Sequence, residues 1–180
     1  MNILILGCGA IGSRIAIELQ GHDLILVDND RVEAHNIPTS AYSSYHIGQT
    51  KVMALSEMCH FRGIQTRVFH RTFDMTFPNV DVNLVIDCFD NTAARQDTSR
   101  VYRDHTLYHV GVSEDRVGCV GLDGYYPMPV SRDDTINPIC THLMGQPILS
   151  MTALVAVEFI RNPGTIVFVD NMGAVRCQQK

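Results

Sequence analysis

The strongest constraint on how this chain can fold lies at its amino end. Residues 3–6, Ile-Leu-Ile-Leu, are an unbroken apolar run, the pattern of a strand buried on both faces. The run breaks at Gly7-Cys8-Gly9-Ala10-Ile11-Gly12, residues 11–19 place apolar side chains at helical spacing, and a second apolar run, residues 24–27, ends on Asp28. Strand, glycine turn, helix, strand and acid in that order form a parallel β–α–β unit with a nucleotide-binding fingerprint. Each glycine has a physical task. Gly7 permits the tight turn, Gly9 lets a phosphate approach the backbone, and Gly12 lets the helix pack on the strand. The first turn of the helix offers unpaired N–H groups to an anion.

The alternation continues down the chain. Residues 37–47 read as a loop, and a helix runs from about 48 to 58. Residues 64–69 read as a third strand and 83–88 as a fourth, apolar through Leu84-Val85-Ile86 and stopping at Asp87. Between them, residues 71–81 are a polar connection with room for a short helix. Asp90-Asn91-Thr92 is capping chemistry for a helix to about residue 103. Strands follow at 107–112 and 118–126, then a proline-rich crossover loop at about 127–145, a helix at 146–161, and a hairpin formed by 165–169 and 174–177. The expectation is a Rossmann-like, doubly wound, mainly parallel α/β sheet with a C-terminal antiparallel extension, built as one domain over residues 1–180. Ligands of such sheets sit outside the carboxyl ends of the strands, where Gly7, Asp28 and the segment 87–90 fall.

Composition narrows the partners. The net charge of −5 gives no electrostatic reason to expect nucleic acid. The stretch 148–160 is interrupted by Ser150, Thr152 and Glu158 and is too short to span a membrane, and residues 3–6 are too short for the core of a signal peptide. A soluble cytoplasmic protein is expected. The six cysteines contain no Cys-x-x-Cys pair, so no structural zinc is expected; Cys8, Cys88 and Cys119 sit in apolar contexts suited to buried thiols.

Three further groups accompany the glycine turn: Asp28-x-Asp30-x-Val32-Glu33-x-x-Asn36, Gly48-x-x-Lys51, and Asp87-Cys88-Phe89-Asp90-Asn91. In this order and spacing, over about residues 1–100, the chain resembles the ThiF/MoeB and ubiquitin-activating-enzyme superfamily. That resemblance implies an ATP-dependent adenylyltransferase. Such an enzyme activates a carboxylate, either the C-terminus of a ubiquitin-like or sulfur-carrier protein or peptide, or a small-molecule acid. It releases pyrophosphate and usually works as a homodimer or heterodimer. Asp28 would hold the ribose, Asn36 and Lys51 the ATP phosphates, and Asp90 a magnesium ion. Gly7, Gly9, Ile11, Gly12, Asp30 and Asn91 would complete the nucleotide site. Cys140, in Pro138-Ile139-Cys140-Thr141-His142, falls where relatives place a thioester-forming or sulfur-carrying thiol, and is a candidate nucleophile.

The chain departs from the family pattern in its cations. Where many members carry an arginine within Asn-Leu-x-Arg, this sequence has Asn36-Ile37-Pro38-Thr39. The family's four zinc-binding cysteines are absent as well. Arg14, Arg31 or Arg95 could restore the missing charge, or a partner chain could. Two other readings stand beside adenylation. A non-catalytic or partner-dependent binding module would account for the missing arginine. An NAD-dependent oxidoreductase would use the same glycine turn and Asp28 but leave Asn36, Lys51 and Asp90 without a task.

Overall fold

The structure is a computed structural model that describes residues 1–113, 117–128, 146–164, 166–170 and 175–177. Eight strands form one sheet in the order β3-β2-β1-β4-β5-β6-β7-β8. The parallel part is β1 (Asn2–Leu6), β2 (Asp23–Val27), β3 (Gln65–Phe69), β4 (Leu84–Asp87) and β5 (Thr106–Val112). β6 (Gly118–Leu122), β7 (Ile166–Val169) and β8 (Val175–Cys177) add an antiparallel extension. The helices are α1 (Ala10–Ala16), α2 (Lys51–Phe61), α3 (Thr92–Val101) and α4 (Gln146–Arg161).

Alternation along the strands sorts the core into two layers. Ile3, Ile5, Leu24, Leu26, Leu84, Ile86, Tyr108 and Val110 pack beneath α1, α2 and α4. Leu4, Leu6, Ile25, Val27, Val85 and Leu107 face the opposite side, covered by Tyr102 after α3 and by Phe73 and Phe77. Strands covered on both faces must be apolar at consecutive positions, which is why β1, β2 and β4 read as unbroken runs. Each fully buried Leu or Ile contributes on the order of 1.5–3 kcal/mol.

Three expectations are corrected. The first helix stops at Ala16, and Glu18 and Leu19 donate to the carbonyls of Ile15 and Ala16 in a tighter turn that still buries Leu19. The segment 71–81 holds no helix; Asp74 instead accepts from the Thr76 amide and hydroxyl, a local turn that frees Phe73 and Phe77 to pack inward. β6 ends at Leu122 rather than 126, because Gly124 at φ +83° turns the chain and brings Tyr126 back over Gly121. The loop at 37–47 is flanked and interrupted by short 3-10 turns, Ala34–Asn36 and Ser44–His46.

Candidate functional site

The glycine turn joins β1 to α1 at the centre of the parallel sheet. Gly7 adopts φ +86°, and its N–H donates to the Val27 carbonyl at 2.9 Å, so the turn is held to the end of β2. A Cβ at Gly12 would overlap the Gly7 carbonyl oxygen, whereas one at Gly9 would meet nothing within 4 Å. Gly12 thus serves packing, and Gly9 leaves open space above the turn. Ile11 is buried on the inner side of α1 and supports the turn from below.

Asp28 locks the other side. Its Oδ2 accepts the Cys8 N–H at 2.7 Å and its Oδ1 the Asp30 N–H at 2.8 Å. The carboxylate is almost buried, yet each oxygen keeps acceptor capacity beyond its one backbone bond. Burial, with Asp28 as the next cause, pushes the Cys8 thiol well above its usual range, so this thiol is inert.

The groups Asp28–Asn36 and Gly48–Lys51 meet through backbone pairing. Val32 N–H donates to Gln49 O, Gly48 N–H to Val32 O and Lys51 N–H to Asp30 O, at 2.8, 2.8 and 2.9 Å. This short ladder starts α2 beside Asp28. The Lys51 ammonium, nearly buried, donates to Asp30 Oδ2 at 2.7 Å. Burial works against its charge, but the neighbouring Asp28 and the hydrogen bond to Asp30 outweigh that and raise its pKa above the ordinary lysine value. The ammonium is therefore charged at neutral pH. Tyr42, which the sequence reading did not single out, ties these parts together: its hydroxyl lies 2.6 Å from the Cys8 carbonyl and 3.2 Å from that of Lys51. No local pattern marks it, since its partners lie 34 and 9 residues away.

Asn36 is half-buried at the end of its 3-10 turn, with Oδ1 accepting the Glu33 N–H at 2.8 Å. Its carbonyl also accepts the Ser40 hydroxyl at 2.6 Å, so the residue organises its own loop. At the end of β4 the division of labour differs from what adjacency suggested. Asn91 caps α3, accepting the Ala94 N–H at 2.8 Å. Asp90 is exposed and has no hydrogen-bond or ion-pair partner among the described residues. Asp87 turns inward and is fully buried. Among the described residues no cluster of three or more His, Cys, Asp or Glu side chains could hold a metal by itself. Magnesium bound through one carboxylate and substrate phosphates needs no such cluster.

Each of the three arginines proposed to restore cationic charge is engaged. Arg14 donates to Thr39 O at 3.1 Å and Ser150 Oγ at 2.9 Å, and Arg31 to Gly48 O at 2.8 Å. Arg95 lies buried on α3, donating to Val110 O at 2.9 Å. Cys140 and His142 lie outside the described residues. Among the described residues no helix is long and apolar enough to cross a membrane.

The model of the ThiF family matches residues 1–130. Among solved structures, E. coli MccB with ATP aligns at a TM-score of 0.75 and 17% identity, covering 99% of this chain and 63% of MccB. E. coli MccB with AMPCPP and MccA aligns at 0.76 and 16%, covering 99% of this chain and 63% of MccB. PaaA aligns at 0.73 and 17%, covering 99% of this chain and 72% of PaaA. At these identities the likeness is one of fold, and the chain spans less than two thirds of MccB. No curated protein matches the chain in sequence.

Proposed function

The chain belongs to the ThiF family, and on that premise we propose that it is an ATP-dependent adenylyltransferase. In the reaction a carboxylate oxygen attacks the α-phosphorus, the bond to the β-phosphate bridging oxygen breaks, and pyrophosphate leaves. The product is an acyl-adenylate. The observation that carries this reading is a nearly buried, charged Lys51 together with an Asp90 that is exposed and has no partner among the described residues, on either side of the glycine turn. A hydride-transfer site would need neither.

Triphosphate and nucleophile are both anionic, so the reaction depends on positive charge fixed in place. Lys51 provides it as a point charge whose position is set by Asp30 and by the ladder that starts α2. Asp28 would accept the ribose hydroxyls through its remaining lone pairs while holding the Cys8 amide. The open space over Gly9 would admit the phosphates. Asn36, whose side-chain oxygen is taken by Glu33, would present its amide N–H groups to a phosphate. Asp90 would hold a magnesium ion, which when bound would neutralise phosphate charge. MccB, a relative in fold, has been crystallised with ATP, AMPCPP and MccA; a peptide, carrier-protein or small-molecule carboxylate is the corresponding acceptor class here.

A second reading, activity that depends on a partner chain, is favoured by the engagement of Arg14, Arg31 and Arg95 and by Thr39 at the place of the family arginine. ATP–pyrophosphate exchange with peptide and small carboxylates separates the readings. Adenylation predicts exchange that Asp90→Ala and Lys51→Met abolish. Exchange that needs a second protein supports the partner-dependent form. If NAD binds more tightly than ATP and no carboxylate supports exchange, the proposal fails.

A further inference from the structure

On the side of the sheet covered by α3 lies a polar cluster that the nucleotide reading does not use. His109, in β5, is fully buried, and both of its ring nitrogens meet carboxylates. Nδ1 is 2.6 Å from Asp87 Oδ2, and Nε2 is 3.0 Å from Asp123 Oδ1. A carboxylate only accepts, so Nδ1 carries the proton shared with the fully buried Asp87, while Nε2 faces both the partly exposed Asp123 and the Ser99 hydroxyl 3.3 Å away. The hydrogen bond to Asp87 is charge-assisted through its carboxylate.

A second group faces the same carboxylate. Arg95, buried on α3, brings NH1 to 3.8 Å from Asp87 Oδ2. Among the described residues Nε and NH1 of Arg95 have no hydrogen-bond partner, and Asp87 and the Tyr126 ring 4.9 Å away face its charge. The remaining groups near the ring add no charge. Ser99 donates to Asp123 Oδ1 at 2.9 Å, and burial pushes both the Tyr126 phenol and the Cys119 thiol upward, the latter to about 12.

What this cluster holds is the turn between β4 and α3. Asp87 Oδ1 accepts the Phe89 N–H at 2.8 Å, and Cys88 N–H donates to Leu6 O at 2.8 Å. The same turn presses on the glycine turn: a Cβ at Gly7 would lie 3.2 Å from the Cys88 carbonyl carbon and oxygen. Asp90 is the next residue after Phe89. The orientation of one buried carboxylate thus sets the backbone that touches the glycine turn and delivers the exposed one.

We infer that His109 is a positioning residue of the site, a buried ring that orients Asp87 and through it the turn carrying Asp90; the inference rests on reading the crevice as an ATP site. It is tested on the full chain, labelled with nitrogen-15, with Phe89 amide exchange followed by NMR and MgATP affinity measured on the same samples. Asp123→Asn, at the partly exposed end of the cluster, is the mild variant and His109→Gln the severe one. Each is expected to speed Phe89 exchange and weaken MgATP binding about tenfold, as loss of an outer supporting partner does. Unchanged Phe89 exchange and MgATP affinity in both variants overturn the inference. If the wild type binds no MgATP, the ATP reading fails. Phe89 exchange in the variants then still decides whether His109 holds the turn.

Discussion

The carboxyl ends of β2 and β4 carry the same local device and put it to opposite uses. Asp28 and Asp87 each finish a parallel strand, and each turns one oxygen onto the N–H two residues on, at Asp30 and Phe89, at 2.8 Å in both cases. An aspartate at a strand end makes such a turn from local sequence alone. The second oxygen separates them. Asp28 Oδ2 takes the Cys8 amide of the glycine turn, within the electrostatic reach of Lys51. Asp87 Oδ2 takes His109 and faces Arg95 in the interior. One carboxylate ties down the glycine turn and the other ties the β4–α3 turn to the interior. Residue type and strand position are shared, so the difference comes from what the neighbouring strands bring.

The largest test of that contrast is removal of each carboxylate. Asp87→Ala leaves Arg95 and His109 buried without their anion and should cost about 3–5 kcal/mol in urea unfolding. Asp28→Ala leaves two backbone amides without their acceptor and should cost about 1–3 kcal/mol, with ATP binding lost as well. Equal losses would break the comparison. The link between the two turns is tested at the glycines. Gly12→Ala drives a methyl group into the Gly7 carbonyl and should cost about 3 kcal/mol. Gly9→Ala should change stability by less than about 0.5 kcal/mol while weakening ATP binding measured by calorimetry. The smallest effects divide the neighbours at the start of α3. Asn91→Ala should cost about 1 kcal/mol through its lost cap. Asp90→Ala should leave the melting temperature unchanged and abolish pyrophosphate exchange; the reverse outcome would exchange their assignments.

Much of this was legible along the chain. The apolar runs of β1, β2 and β4 named the central strands, and the spacing of Gly7, Gly9 and Gly12 located the turn, because burial and turn geometry are local demands. Asp30 and Lys51 each stand in a legible motif, but their contact needed the ladder of Val32 with Gly48 and Gln49. His109 was not legible. Within the apolar stretch 107–112 a lone histidine reads as a core residue, and its partners lie 22 and 14 positions away. Arg95, offered by the sequence as a cation for the crevice, lies instead under Tyr126, because Gly124 reverses the chain after β6.

The sequence by itself determined the order of strands and helices, the glycine turn, and the family to which the chain belongs. Those depend on backbone torsion and on which positions must be apolar, and both are written in neighbouring residues. Only the tertiary structure decided that Asp28 holds the glycine turn while Asp87 faces His109, and that Asn91 caps α3 while Asp90 stays exposed. The reason is that β4 lies between β1 and β5 in the sheet. A carboxylate's role follows from the groups packed against it, and those meet only once distant strands stand side by side.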